Sequence, residues 1–420
     1  MTVTSAARST TIDASRWPDV ATPPRRPMRA AIAARVVKRM LAGVPITVLG
    51  PDRRRLGGGG PDDPTLHLHH PRAFYDRLGS NGLIGFGESY MAGDWSSDDL
   101  AGVLTVLAAR MSTLVPAPLQ RFRSVAMPRR PRTDANTAAG ARRNIQRHYD
   151  LSNDLFATFL DPTMSYSSAL FEAGSPLGGQ DLQRAQQRKV DRLLDVTGVK
   201  PGSTVLEIGT GWGELSLRAA ARGARVTTVT LSGEQAALAR IRISEAGLAD
   251  RVDVQELDYR DVAGTYDCVV SVEMIEAIGS DQWDEYFARV EHLLSPGGRL
   301  GLQSITMGHE RMLASARTYT WILKYIFPGG QIPSTRAIDE SATRAGLRTE
   351  STLMFGPDYA ETLRRWRDTF ESHAERVDAL GFDEVFRRMW SLYLAYSEAG
   401  FRSGYLDVAQ IVMRKPGGAS

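Results

Sequence analysis

Val205-Leu206-Glu207-Ile208-Gly209-Thr210-Gly211-Trp212-Gly213 reads as a β-strand that runs straight into a glycine-rich turn and then a helix. Three glycines on alternate residues let backbone approach a ligand closely at the carboxyl edge of a sheet. A glycine-rich turn alone also serves dinucleotide sites, and two features count against that rival here. The spacing is G-x-G-x-G rather than G-x-G-x-x-G, and Glu207 before the loop repels a pyrophosphate but suits a cationic cofactor or its amino acid end. Outward from the turn, strands and helices alternate. An amphipathic helix over 184–196 precedes the strand 204–208, followed by helix 213–222, strand 225–230, helix 234–246, strands 252–256 and 266–272, helix 282–294 and strand 299–305. Such alternation predicts right-handed crossovers and an α/β, doubly wound, mostly parallel sheet.

The chain has 420 residues, more than one hydrophobic core usually serves, so two or more structural units are expected. Charged residues are 24% and apolar ones 42%, which excludes collagen-like, coiled-coil and wholly disordered readings. Cys268 is the single cysteine, so there is no disulfide framework, thiolate zinc site or iron–sulfur cluster. It sits in an apolar strand, and buried packing is the expectation. The seven histidines, His67, His69 and His70 among them, have no metal-ligand spacing, and no metal is predicted. Net charge is +3, split into +10 for residues 1–150 and −7 for the rest. A basic front suggests a polyanionic partner. No apolar run reaches the roughly 20 residues that cross a bilayer. A cytoplasmic protein, peripheral at the inner face of the membrane, is the expectation.

Residues 1–27, rich in Ser, Thr, Pro and Arg, read as a mobile tail. Residues 28–120 read as an accessory, lipid-binding domain. It opens with a basic helix over 28–41, which either lies on a membrane or packs on its own domain, and it carries a glycine-punctuated turn region over 82–91. Residues 121–147 hold eight arginines against Asp134 and read as a basic linker; Phe122 is its one aromatic, too little for base stacking, so no nucleic acid is expected. The catalytic domain is placed at 148–420.

The turn at 209–213 resembles the first motif of class I S-adenosylmethionine methyltransferases. Five further stretches are similar to cyclopropane-fatty-acid synthases and their mycolic-acid relatives: His148-Tyr149-Asp150-Leu151-Ser152-Asn153-Asp154-Leu155-Phe156, Leu160-Asp161-Pro162-Thr163-Met164-Ser165-Tyr166-Ser167-Ser168, Val272-Glu273-Met274-Ile275-Glu276-Ala277-Ile278-Gly279, Lys324-Tyr325-Ile326-Phe327-Pro328-Gly329-Gly330 and Arg388-Met389-Trp390. Gly85-Phe86-Gly87-Glu88-Ser89-Tyr90-Met91 resembles the amino-terminal domain of the longer bacterial synthases. The resemblance implies a Rossmann-like class I methyltransferase with a mostly parallel seven-stranded sheet, a small N-terminal α+β or helical domain, and S-adenosyl-L-methionine as cofactor. Residues 393–408 and Glu276-Ala277 are most similar to the actinobacterial branch that converts oleoyl chains to 10-methylene intermediates of tuberculostearic acid.

Carried over residue by residue, the resemblance assigns the cofactor to Tyr166, Ser167, Gly209, Gly211, Thr230, Leu231, Gln235, Tyr259 and Arg260, and the reading of the loop adds Glu207 and Gly213. The second strand ends without the usual ribose-binding acid; Thr230 and Gln235 supply hydrogen bonds in its stead, unless Thr230 only caps the next helix. In cyclopropane synthases a bicarbonate is held beside the substrate by five groups, matched here by Ser168, Glu276, Gln303, Ile305 and Tyr359. Ser stands for Cys and Gln for His, neither able to supply an imidazolium charge, which puts bicarbonate in question.

An isolated cis double bond is a poor nucleophile, so the chemistry needs alignment with the methyl donor and a dry channel around the resulting cation. Phe171, Tyr319, Trp321, Tyr325, Phe327, Trp366, Phe370, Trp390, Tyr393 and Tyr396 are channel candidates or ordinary core; Tyr325 and Tyr359 are singled out. Glu276 is the expected base or anion holder. The expected reaction adds one carbon to an unsaturated phospholipid acyl chain and leaves a 10-methylene group. The alternatives are a cyclopropane ring on the same substrate, a small-molecule or RNA methyltransferase, and an inactive lipid-binding protein. A homodimer and a reductase partner are compatible with this reading.

Overall fold

The computed structural model describes residues 12–41, 43–110, 152–316 and 318–417. The expected basic linker 121–147 and the start of the recognised motif, His148 to Leu151, lie outside the described residues. The described chain forms two units. One joins residues up to 110 with Thr318–Ile326 and Phe370–Ser403; the other comprises 152–316, Phe327–Thr369 and the residues from Gly404 onward.

The larger unit is built on a seven-stranded sheet. In chain order after three strands of the smaller unit (β1 Thr47–Leu49, β2 Thr65–Leu68, β3 Trp95–Ser97), its strands are β4 Thr204–Ile208, β5 Arg225–Thr230, β6 Val252–Glu256, β7 Tyr266–Val272, β8 Leu294–Met307, β9 Arg348–Met354 and β10 Leu406–Arg414. The spatial order is β6-β5-β4-β7-β8-β10-β9, with parallel pairing from β6 to β8 and β10 antiparallel to both β8 and β9. The strands β4 to β7 start and stop where alternation places them. β8 is longer than the predicted 299–305 because Leu294 already pairs with Tyr266. The order reverses between β4 and β7, so a crevice opens at their carboxyl ends, the usual ligand position in such sheets. Two apolar layers cover the sheet: Leu206, Val269, Phe287 and Leu302 on one side, Val205, Leu193, Ala219 and Val270 on the other. Each fully buried Leu among them contributes roughly 2 kcal/mol of transfer free energy.

The helix Leu182–Thr197 shows how local sequence sets such an element. Asp181 caps its first turn by accepting from the Arg184 N–H, and Gly198 ends it at φ +80°, where glycine carries no Cβ penalty. Ala185, Lys189, Val190, Leu193, Leu194 and Thr197 form its inward stripe.

The smaller unit holds a three-stranded sheet with β1 parallel to β2 and β2 antiparallel to β3, surrounded by helices. Three expectations are corrected here. The segment from residue 12 to 27 is not a mobile tail: Val20 is fully buried, and the Trp17 indole donates to Asp383 at 2.8 Å. The cause is Arg77, buried with Asp94 at 3.0 Å, whose remaining guanidinium N–H groups donate to the carbonyls of Asp19 and Val20. The glycine-punctuated stretch is not a turn region but the helix Leu83–Met91. A Cβ at Gly85 would lie 2.1 Å from the Arg77 carbonyl oxygen and one at Gly87 would lie 2.3 Å from the Trp321 ring, so these glycines allow close packing. Finally, the catalytic domain is not one contiguous block from 148 to the end, because Thr318–Ile326 and the helix Glu384–Arg402 belong with the smaller unit.

The basic helix Pro27–Leu41 packs against the helix Pro71–Asn81: a Cβ at Gly79 would come within 2.6 Å of the Arg29 carbonyl oxygen. Even so, none of its residues is buried, and Met28 and Ile32 are 80% and 61% exposed. Among the described residues, no helix is long and apolar enough to cross a membrane.

Candidate active site

The turn after β4 bends through three glycines with positive φ, Gly209, Gly211 and Gly213. A side chain at Gly211 would meet nothing within 4 Å, so the loop leaves open space above its backbone. Gly209 is different, since a Cβ there would lie 2.7 Å from Met274 Cγ and force the segment after β7 away. Glu207 is buried beneath the loop; its Oε2 accepts from the Ser216 and Thr228 hydroxyls, and burial raises its pKa to about 7. The Trp212 indole donates to Asn153 at 2.7 Å, which ties the loop to the start of the recognised motif.

At the end of β5, Thr230 Oγ1 donates to Gln235 Oε1 at 3.0 Å and accepts from the Ser232 N–H. Ser232 is the helix cap, so the capping role considered for Thr230 is filled by its neighbour. After β6, Arg260 grips both oxygens of Asp258, at 2.9 and 2.6 Å, while its guanidinium lies over the Tyr259 ring. Tyr166 stacks on Trp366 with centroids 5.3 Å apart. The hydroxyl of Ser167 accepts from the buried Lys189 ammonium at 2.7 Å. Desolvation lowers the Lys189 pKa to about 8, against the pull of Glu273, Asp161, Glu214 and Glu207.

Three of the five groups matched to an anion site, Ser168, Gln303 and Tyr359, come together around a residue that the sequence reading passed over, while the other two, Glu276 and Ile305, bond to each other. Glu273 follows β7 with φ +53°. Its Oε1 accepts from the Ser168 N–H and from the Gln303 amide, both at 2.9 Å, and its Oε2 from the Tyr359 hydroxyl at 2.6 Å. Strand register explains the meeting: Gln303 pairs with Val272 on β7 and with Gln410 on β10. Arg192 donates to Gln410 Oε1 at 2.6 Å, and the Gln410 NH2 donates to Gln303 Oε1 at 3.0 Å. That relay turns the Gln303 NH2 toward Glu273. The Ser168 hydroxyl does not join in, since it donates to the Ala169 carbonyl.

Glu276 lies one helical turn on. Its Oε1 accepts from Ser304 Oγ at 2.9 Å and from the Ile305 N–H, while its buried Oε2 has no hydrogen-bond partner among the described residues. Burial, reinforced by the charge of Glu273, raises its pKa to about 8. Burial raises the Glu273 pKa as well, opposed by its three donors. Both carboxyls are therefore held above the ordinary carboxylate range, with burial as the first cause of each.

Bicarbonate does not fit this arrangement. The donors matched to it at Ser168, Gln303 and Tyr359 are taken by a carboxylate of the chain, and a second anion there would face Glu273 directly. The cofactor fares otherwise: open space above Gly211 and the hydroxyl–amide pair of Thr230, at the end of β5, and Gln235, in the helix that follows, provide a cradle and polar groups suited to a nucleoside.

Tyr325 is held in the smaller unit, where its hydroxyl donates to the buried Glu88 carboxylate at 3.0 Å beside the Lys324 ammonium at 2.5 Å. The channel candidates separate into groups. Trp366 packs with Phe159, Tyr166 and Tyr359 in the larger unit, whereas Trp321 with Tyr325, and Trp390 with Phe370 and Tyr393, lie in the smaller one. Tyr396 is 41% exposed. Cys268 is buried, donates to the Thr197 carbonyl and has its pKa raised by burial to about 11, as packing predicts. His67 and His69 meet Asp98 and Ser96, and no metal-holding group of three appears among the described residues.

Residues 136–411 match the mycolic acid cyclopropane synthetase family. The chain belongs to that family. It is 54% identical to the tuberculostearic acid methyltransferase UfaA1 of Mycobacterium tuberculosis over 99% of this chain and all of the relative. It is 34% identical to the cyclopropane-fatty-acyl-phospholipid synthase of Escherichia coli K12, over 86% of this chain and 90% of that one. The structure of the mycolic acid cyclopropane synthase CmaA1 complexed with SAH and CTAB superposes with a TM-score of 0.60 at 31% identity, covering 68% of this chain and 99% of that one. This cyclopropane synthetase family member is an S-adenosylmethionine-dependent methyltransferase of the class I fold.

Proposed function

We propose that this methyltransferase adds one carbon to the cis double bond of an oleoyl chain in a phospholipid, at the inner membrane surface, and releases a 10-methylene product. The observation that carries the reading is identity across nearly the whole chain to a protein named for tuberculostearic acid. Bound S-adenosylmethionine supplies an electrophilic methyl group on a positive sulfur. Tyr166, Ser167, Gly209, Gly211, Gly213, Thr230, Leu231, Gln235, Tyr259 and Arg260 would hold it, with Glu207 beneath the loop.

The chain's own task comes after methyl transfer, when the acyl carbon left with positive charge must be kept from water and lose a proton. The half-buried Tyr166 ring and the buried faces of Tyr359 and Trp366 exclude water and favour passing positive charge. The Glu273 carboxyl, held by three donors, opposes the cation, and the Ile305 N–H and Ser304 hydroxyl fix Glu276. A hydride shift before proton loss leaves the exocyclic methylene; direct loss from the added methyl closes a ring. The ring remains a second reading, favoured by the 34% match to a cyclopropane synthase. Incubation with S-adenosylmethionine and dioleoyl phospholipid, followed by mass spectrometry of the acyl esters, separates these outcomes. Equal mass gain with an exocyclic methylene signature is expected; a ring as sole product overturns the methylene assignment, and no mass gain overturns both.

A further inference from the structure

Three buried donors, on a loop, a strand and a helix, converge on one carboxylate oxygen pair at Glu273. Ser168 and Gln303 are fully buried and Tyr359 nearly so, which makes this a constructed anion site rather than a surface contact. Its backbone is held in a left-handed conformation that a glutamate rarely adopts. Such strain persists only where the surroundings over-determine it, here through the three bonds and through the Glu273 N–H donating to the Gln303 carbonyl at 2.8 Å. The relay from Arg192 through Gln410 orients the Gln303 amide as a donor toward this position. Nearby, Glu276 presents an oxygen with no hydrogen-bond partner among the described residues.

We propose that the Glu273 carboxylate is a tethered anion that occupies the place of a free oxyanion and accepts the proton leaving the methylated acyl chain, so that this enzyme works without bicarbonate. The proton transfer balances within the chain and substrate. A C–H bond adjacent to the cationic carbon breaks, its electron pair becomes the second bond of the new alkene, and the proton passes to a Glu273 oxygen and later to water. The inference rests on the acyl-methylation reading.

The test compares the wild-type enzyme with Glu273→Gly and Glu273→Gln in buffer stripped of carbon dioxide, with and without added bicarbonate or formate. The wild type should methylate dioleoyl phospholipid at the same rate in each buffer. Glu273→Gly, whose backbone suits φ +53°, should lose roughly a hundredfold in kcat and regain part of it with either added anion. Glu273→Gln should lose as much and regain nothing, because its side chain still fills the position. Isotope-labelled bicarbonate followed by NMR, with S-adenosylhomocysteine present, should bind Glu273→Gly and not the wild type. A wild type that stalls without bicarbonate or binds it, or a Glu273→Gln variant with unchanged kcat, overturns the proposal. Should even the wild type leave lipid unmethylated, the acyl-methylation reading fails, and the bicarbonate-binding comparison still decides who occupies the anion site.

Discussion

Ser168 serves the carboxyl centre through its N–H, while its hydroxyl turns to the Ala169 carbonyl. Ser168→Ala therefore removes no bond to Glu273, and kcat should stay within about twofold of wild type, since only one modest hydrogen bond is lost. Tyr359→Phe removes a donor to the charged form of Glu273, which raises that carboxyl's pKa; the acidic limb of the kcat–pH profile should move to higher pH. Glu276 gives the opposite limb. Its pKa rises from 4.5 to about 8, so the folded state holds a proton there that the unfolded chain has released, and stability falls as pH climbs through that window. Because glutamine mimics the neutral acid, Glu276→Gln should flatten this decline in urea unfolding and keep kcat within about tenfold at neutral pH, whereas Glu276→Ala, which leaves the Ile305 N–H and Ser304 hydroxyl unpaired, should lose about a hundredfold. The residue types at 168, 276, 303, 305 and 359 were legible as one anion-binding set because the resemblance gathered them. Glu273 was not, since nothing in its chemistry announces a positive φ; an acid three residues before Glu276, at the end of a central strand, was the available signal.

At the level of single elements, strands were the most readable. β4, β5 and β7 are short apolar or β-branched runs paired in parallel on both sides, and β6 closes the edge against β5, which leaves few other solutions. The helix Leu83–Met91 was misread because glycine ordinarily punctuates a helix, and here it serves packing instead. Gly87→Ala measures that directly. Its added methyl would sit 2.3 Å from the Trp321 ring, so overpacking should lower unfolding free energy by about 2 kcal/mol, read by urea titration with the near-ultraviolet signal of tryptophan. A gain in stability would mean that the close approach of this helix to Trp321 is absent in solution.

For the whole molecule, two facts escaped the sequence for the same reason. Thr318–Ile326 and Phe370–Ser403 join the unit made by the first part of the chain, and membership in a core depends on long-range contacts that local pattern does not encode. Charge asymmetry, by contrast, survives any folding, and +10 across residues 1–150 faces solvent in part through the helix Pro27–Leu41, with Arg29, Arg35, Lys38 and Arg39 beside exposed Met28 and Ile32. Basic residues near an anionic leaflet contribute about 1 kcal/mol each, so reversing those four charges to glutamate should weaken sedimentation with phosphatidylglycerol vesicles by well over tenfold. Binding of the unaltered chain should rise with anionic lipid and fall with salt. None of the four side chains touches the Glu273 hydrogen bonds, so turnover of detergent-dispersed substrate should be retained. Vesicle binding indifferent to salt and to charge reversal would place the lipid contact on apolar surface elsewhere, and loss of turnover in detergent as well would mean that the helix supports the fold rather than the membrane encounter.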